Sequence, residues 1–96
     1  NHLDINHQLE LLDLVATLNR EQGITVVAVL HDLNLAALYA ERLLVLKAGR
    51  LAADGSPSEV LQADLVQQIY GCAVSVLPHP VVDRPQVVLL PQTALS

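Results

Sequence analysis

The chain contains very few aromatic residues: two Tyr, no Phe and no Trp among 96 residues. Its hydrophobic fraction of 52% therefore consists almost entirely of Leu, Val, Ala and Ile. This composition is typical of strands buried beneath helices on both faces, as in α/β proteins. It also indicates that some apolar surface packs against a partner or against other parts of the same chain.

Positive charge is scarce as well. The chain has five Lys and Arg residues together and a net charge of −5, which excludes a surface that neutralises several nucleic-acid phosphates and a polybasic membrane-surface segment. The longest apolar run, residues 24–30, is too short to span a membrane. Cys72 is the only cysteine, so an internal disulfide framework is excluded, and we expect a buried, inert thiol in a reducing cytosol.

The first part of the chain predicts a helix over residues 5–22. Asp4 precedes it as an N-cap that can accept from free N–H groups of the first turn. Gly23 follows where a left-handed residue ends a helix. The apolar stripe recurs at three-residue steps: Leu9, Leu12, Val15, Leu18.

The next segments predict strands that alternate with a helix. Residues 24–30 are continuously apolar and β-branched, which is typical of a parallel strand buried on both faces. Asp32 can cap a helix over residues 33–41, and residues 42–47 predict a second buried strand. Two such strands make a thin sheet, so the sequence indicates the end of a sheet that begins upstream.

The remaining segments are rich in turn and cap signals. Residues 47–50 predict a tight turn, with residues 51–54 pairing back as an edge strand. Ser56, Pro57 and Glu59 form a complete capping-box pattern for a following helix. A further helix is expected over residues 64–70. Strand-like residues 72–77 and 86–90 flank a Pro-limited loop and predict a C-terminal hairpin.

His31 carries the clearest chemical signal. It directly follows the apolar run 24–30 and precedes the capping Asp32. Ligands of open α/β sheets bind at the carboxyl ends of strands, so a His there can donate to a phosphate oxygen or hold an attacking water. The alternative is a His that only satisfies a loop carbonyl, and the residue pattern alone favours that second role.

Other sites have weaker support. Asp4, His2 and His7 lack metal-ligand spacing, so no metal site is predicted. No Gly-x-x-x-x-Gly-Lys-Ser/Thr loop occurs in the sequence, and therefore no phosphate cradle. A flavodoxin-like or receiver-type domain lacks the acidic cluster or phosphate loop that it requires at a strand end.

Three segments together resemble the ATPases of ABC transporters. Asn1-His2-Leu3-Asp4, followed by a Leu-rich helix, resembles their D-loop. The segment from Val26 to Ala36, with His31-Asp32-Leu33-Asn34 at its centre, resembles their H-loop. The segment from Leu44 to Leu61 resembles the hairpin and helix that follow. The order and spacing are those of the family, and the match covers residues 1–71, most like the iron-siderophore, heme and cobalamin import branch.

The resemblance implies the fold and the roles of the residues. The fold would be α/β, the C-terminal part of a P-loop NTPase core lobe (residues 1–71) with a small β-hairpin extension (residues 72–96). His31 would contact the γ-phosphate of ATP. Asn1, His2, Leu3 and Asp4 would lie at the interface of a head-to-tail dimer. The complete subunit would use ATP and Mg²⁺, pair with a second ATPase subunit, and dock on membrane permease subunits that work with a periplasmic or surface binding protein.

The departures from the family are equally informative. The Walker A loop, Q-loop, signature motif, Walker B aspartate and catalytic glutamate of the family are absent from these 96 residues. We therefore expect the chain alone to bind no ATP and to self-associate, whereas the complete subunit would be cytoplasmic and peripheral on the inner face of the membrane. The alternative is a stand-alone α/β interaction or regulatory module without catalysis.

Overall fold

The computed structural model describes residues 4–92. Four helices and four strands occupy this range, as two helices and two strands followed by two more helices and two more strands, so the α/β class is confirmed. Their bounds, in chain order, are α1 Ile5–Gln22, α2 Leu33–Tyr39, β1 Leu43–Lys47, β2 Arg50–Gly55, α3 Pro57–Val60, α4 Ala63–Tyr70, β3 Val74–Pro78 and β4 Pro85–Leu89.

The predicted ends of α1 and the predicted start of α3 are confirmed. The Asp4 side chain accepts from the His7 N–H, and Gly23 adopts the left-handed conformation that ends α1. At α3 the Ser56 N–H donates to Glu59 Oε1 over 2.9 Å, and the Glu59 N–H donates to Ser56 Oγ over 3.3 Å. The hydrogen bond from the Ser56 backbone is the main reason that the pKa of Glu59 lies below its usual range. These features are local because each joins residues at most four positions apart.

The sheet differs from the prediction. Instead of one thin parallel sheet, the described residues form two separate two-stranded sheets, β1–β2 and β3–β4, both antiparallel. The C-terminal hairpin β3–β4 and the hairpin β1–β2 lie where the sequence predicts them. The predicted helix over residues 33–41 ends earlier, at Tyr39.

The prediction of a strand over residues 24–30 is wrong for this structure. The segment forms neither helix nor strand, and every one of its side chains is exposed. Val27 and Val29 are 90% and 84% exposed. A parallel strand requires hydrogen-bonding neighbours, and no strand within residues 4–92 pairs with this segment. The composition of this segment favours a strand, but the described residues provide no neighbouring strand for it.

The prediction of a second buried strand over residues 42–47 is also wrong in its burial. The strand forms as β1, but only Leu43 is buried. Leu44 and Leu46 alternate with the core-facing Leu43 and Val45, so they lie on the other face of the hairpin, and they are 57% and 69% exposed. Cys72 is half-buried rather than buried.

The core lies where α2, α3 and α4 pack against the hairpins. Seven buried side chains form one cluster, and α2 lies on β4, α3 on β2 and α4 on β3. Val66 and Ala37 are completely buried. The members of the cluster are Ala37, Leu43, Val60, Leu61, Val66, Val74 and Val87.

The turn between β1 and β2 contains one unfavourable backbone conformation. Lys47 pairs with Arg50, leaving a two-residue loop in which Ala48 has φ 53° and Gly49 has φ 76°. Such loops require positive φ at both central residues, which suits Gly but not Ala.

We therefore predict that Ala48→Gly stabilises the chain by about 0.5–1 kcal/mol, because it removes the steric cost of the left-handed Ala. The matched control is Ala53→Gly, on β2 opposite Val45. There glycine removes a side chain from a strand and should destabilise the chain by about 1 kcal/mol. Urea-unfolding midpoints measure both effects, and a lower midpoint for Ala48→Gly contradicts the prediction.

Candidate functional site

His31 lies in the link between the unpaired segment 24–30 and α2, and its side chain is exposed. The next residue determines where α2 begins. Asp32 is extended, with φ −99° and ψ 112°, and its Oδ1 accepts from the Asn34 N–H over 2.8 Å and from the Leu35 N–H over 3.2 Å. Two of the free N–H groups at the start of α2 are thereby satisfied. The cap ties the position of His31 to that of the helix.

An open depression of about 730 Å³ lies beside His31. Its walls are mostly aliphatic, and they come from α1, the segment 24–30, α2, the end of α4 and β4. Polar groups are gathered around the start of α2. The lining residues are Gln8, Leu11, Leu12, Val29, Leu30, His31, Asp32, Leu33, Asn34, Leu35, Tyr70, Val87 and Leu89.

The two tyrosines in and near this depression both have a raised pKa. Tyr70 lines the depression, and its pKa is raised first by burial and then by the negative charge of Asp32. Tyr39, on α2, donates to Asp13 Oδ1 on α1 over 2.7 Å. Burial and this bond raise the pKa of Tyr39 to about 12. Both phenols are therefore neutral at physiological pH, and Tyr39 remains a donor that connects α1 with α2.

Asp4 is separate from this depression. It caps α1, with a 2.9 Å bond from the His7 N–H and a distance of 3.2 Å between its Oδ1 and His7 Nδ1. Asp4 is not among the residues that line the depression beside His31. The other predicted D-loop residues, Asn1, His2 and Leu3, lie outside the described residues.

Two residues that the sequence reasoning missed, Asn34 and Arg84, join α2 to the hairpin β3–β4. The Asn34 side chain bonds to both backbone groups of Val87 on β4. The Arg84 guanidinium donates to the carbonyls of Ala37 and Ala40 at the end of α2. No sequence signal could have identified these partners, since Asn34 and Val87 are 53 positions apart. Tyr70 was also missed, although it is one of only two aromatic residues.

The arrangement therefore presents an imidazole donor at the mouth of an open, mainly apolar depression. An exposed imidazole N–H can donate to an anionic oxygen. Within residues 4–92, no cluster of three or more His, Cys, Asp or Glu residues is placed to hold a metal ion. Among the same residues, no helix is both long and apolar enough to cross a membrane.

Known proteins similar to this chain are ATP-binding import proteins. The chain is 48% identical over 94 residues to the ferric enterobactin transport ATP-binding protein FepC of Escherichia coli (strain K12), covering 98% of this chain and 35% of that protein. It is 54% identical over 74 residues to the petrobactin import ATP-binding protein FpuC of Bacillus anthracis, covering 77% and 27%. It is 51% identical over 79 residues to the hemin import ATP-binding protein HmuV of Rhodococcus jostii (strain RHA1), covering 82% and 27%.

These matches cover most of this chain but only part of each relative. The chain spans about a third or less of the length of the curated relatives it matches. No protein-family model matches it. Identities near 50% over 74 to 94 residues nevertheless agree with the resemblance carried by the D-loop, H-loop and hairpin segments. The chain therefore belongs, as a part of such a subunit, to the ATP-binding subunits of ABC importers.

Proposed function

We propose that these residues are part of an ATP-hydrolysing subunit that powers a bacterial ABC importer of ferric siderophore, heme or cobalamin. The observation that carries this proposal is the 48% identity to the enterobactin transport protein over 98% of the chain. The petrobactin and hemin names of other relatives support the siderophore and heme classes. In this proposal, residues 1–71 belong to the ATPase core lobe and residues 72–96 form a hairpin extension.

His31 would act as the γ-phosphate contact of this subunit. Phosphoryl transfer spreads negative charge over the oxygens of the transferred group, and fixed donors stabilise that charge. The exposed position of His31, one residue before the capped start of α2, supports this role. ATP and Mg²⁺ would be held mainly by residues of the complete subunit that are absent from these 96.

We predict that His31→Ala in the complete subunit lowers kcat for ATP hydrolysis by about 10²–10³, as when one donor to a transition-state oxyanion is removed. Steady-state phosphate release measures the effect. His79→Asn is the control, because His79 Nδ1 only accepts from the N–H groups of Val81 and Val82 in the β3–β4 loop. Near-normal turnover by His31→Ala defeats the γ-phosphate role.

The D-loop residues Asn1, His2, Leu3 and Asp4 would contact a second, identical subunit in a head-to-tail dimer and communicate between its two ATP sites. The capping contact of Asp4 is compatible with this role, since it uses Oδ1 and leaves a second carboxylate oxygen. The dimer would dock on permease subunits that receive the ligand from a binding protein. The location would be cytoplasmic, on the inner face of the membrane.

The two roles of Asp4 can be separated by Asp4→Ser. Serine is also a good N-cap, so α1 should keep its stability, whereas the carboxylate is lost. We predict that the Hill coefficient for ATP hydrolysis by the complete subunit falls towards one. Asp4→Ala, which removes both the cap and the carboxylate, should show the same loss together with a lower melting temperature. An unchanged Hill coefficient in Asp4→Ser limits Asp4 to capping.

The 96 residues alone should bind no ATP, because they lack the glycine-rich loop whose backbone amides and lysine hold the phosphates. We predict that calorimetric titration of the chain with Mg-ATP gives no heat of binding in the micromolar range. The complete subunit, titrated under the same conditions, is the positive control. Micromolar binding by the 96-residue chain contradicts this prediction.

The isolated chain should self-associate. Val27 and Val29 are 90% and 84% exposed in an unpaired segment, and water-exposed apolar surface of this kind favours association. We predict oligomers by sedimentation velocity at micromolar concentration and a shift towards monomer in the double variant Val27→Lys, Val29→Lys. Val81→Lys is the control, since Val81 is equally exposed, at 83%, but lies in the β3–β4 loop. A monomeric parent chain contradicts the prediction.

The same exposed segment supports a second candidate, a stand-alone α/β interaction module without catalysis. An unpaired apolar segment can add to the edge of a partner's sheet. The coding sequence directly upstream of Asn1 distinguishes the two candidates. An Asp-Glu-Pro-Thr-like stretch favours the importer subunit, and an immediate start codon favours the module.

A further inference from the structure

The short helix α2, which begins two residues after His31, is held at both ends by the hairpin β3–β4. At its first turn, Asn34 Nδ2 donates to the Val87 carbonyl over 3.0 Å, and the Val87 N–H donates to Asn34 Oδ1 over 2.6 Å. At its last turn, Arg84 Nη1 donates to the Ala37 carbonyl over 3.2 Å and to the Ala40 carbonyl. All four contacts are part-buried, and they join α2 to residues 44 to 53 positions further along the chain. The Asp32 cap, in contrast, is a bond between neighbouring residues.

The Asn34 contact occupies the open edge of β4. On its other side β4 pairs with β3, where Val87 lies opposite Val76. The side-chain amide of Asn34 uses an N–H donor and the carbonyl acceptor side by side, as a residue of a neighbouring strand does. Asn34 therefore takes the place that one residue of a neighbouring strand would occupy, and its two bonds restrain both the position of α2 along β4 and its rotation.

The Arg84 contact acts on the opposite end of the helix. The last carbonyls of a helix lack partners within it and carry partial negative charge, so a guanidinium there is favourable. Arg84 is itself held by its backbone, since its N–H donates to the Val82 carbonyl over 2.9 Å and its carbonyl accepts from the His79 N–H over 2.7 Å. These two bonds fix the backbone of Arg84 within the hairpin loop and so restrain the position of its guanidinium.

A helix of this length depends on such contacts. α2 has seven residues, which is too few for a helix to be stable by its own hydrogen bonds. Contacts at one end only would allow α2 to pivot, whereas contacts at both ends, together with the buried side chain of Ala37, fix its direction. Since Asp32 caps α2 and His31 precedes Asp32, a displacement of α2 also displaces His31.

We infer that the hairpin β3–β4 positions His31, with Asn34 and Arg84 as the positioning residues that act through α2. This inference rests on the proposed γ-phosphate contact of His31. It assigns to the C-terminal hairpin a part in ATP hydrolysis, although Asn34 and Arg84 need no contact with ATP. Misplacement of a reacting group by about 1 Å can cost a large factor in rate, so loosening either contact should reduce turnover.

The test uses the complete ATP-binding subunit with Asn34→Ala. We expect kcat for ATP hydrolysis to fall by on the order of tenfold, with KM for ATP unchanged, because a misplaced His31 weakens the transition state rather than ATP binding. Gln67→Ala is the matched control. It removes the 3.0 Å bond from Gln67 Nε2 to the Val74 carbonyl, which ties the other strand of the same hairpin to α4. The control should lose comparable thermal stability and keep its kcat.

A double-mutant cycle with His31→Ala separates positioning from general loosening. If Asn34 acts through His31, Asn34→Ala has no further effect on kcat in the His31→Ala background. Multiplicative losses, or an equal loss of kcat in Gln67→Ala, overturn the inference. Near-normal turnover of His31→Ala itself overturns both the proposed role of His31 and this inference. An inactive His31→Ala beside a normal Asn34→Ala overturns the inference alone.

Two more conservative variants, each of which keeps part of the original contact, are the test if Asn34→Ala does not fold. Asn34→Asp keeps an acceptor for the Val87 N–H and loses the donor to its carbonyl. Arg84→Lys keeps the positive charge but loses the planar guanidinium that reaches two carbonyls. Each should lower kcat less than Asn34→Ala and again leave KM unchanged. The inference is contradicted if both variants keep a normal kcat and if the effects of Asn34→Asp and His31→Ala on log kcat are additive.

Discussion

The packing of α2 against β4 connects the parts of this molecule that are far apart in the chain. Ala37 is completely buried, Val87 is only 7% exposed, and both belong to the buried cluster. The Asn34 and Arg84 bonds close the same contact at its two ends. Without it, the hairpin β3–β4 would keep only its packing against α4, and a pair of strands with so little support is at best marginally stable in water.

The remaining elements depend on the same core. α4 places Val66 beneath the hairpin, and α3 closes the cluster with Val60 and Leu61. The hairpin β1–β2 contributes chiefly Leu43, and its other leucines face outward. The core is therefore small and one-sided, and the apolar surface of segment 24–30 has no cover within the described residues. This imbalance agrees with a chain that corresponds to about a third of its relatives.

The local features of the fold were predictable because their causes lie within a few residues. Asp4, Gly23 and the Ser56 capping box each end or begin a helix through bonds to groups at most four positions away. The hairpins were predictable from the tight turn at residues 47–50 and from the Pro-limited loop between residues 72–77 and 86–90. The fate of residues 24–30 was not, because β-branched side chains favour an extended backbone but a strand also needs a neighbour. Composition indicates the preference for an extended backbone, but it does not indicate whether a neighbouring strand is present.

The candidate site divides in the same way. The sequence by itself determined that His31 follows an apolar run and precedes a capping Asp32, and its H-loop resemblance agrees with the similarity to ATP-binding import proteins. Only the tertiary structure decided that Asn34 occupies the edge of β4 and that Arg84 caps the far end of α2. The physical reason is distance along the chain. A cap is encoded by adjacent residues, whereas a bond across 53 positions exists only after the helix and hairpin have packed together.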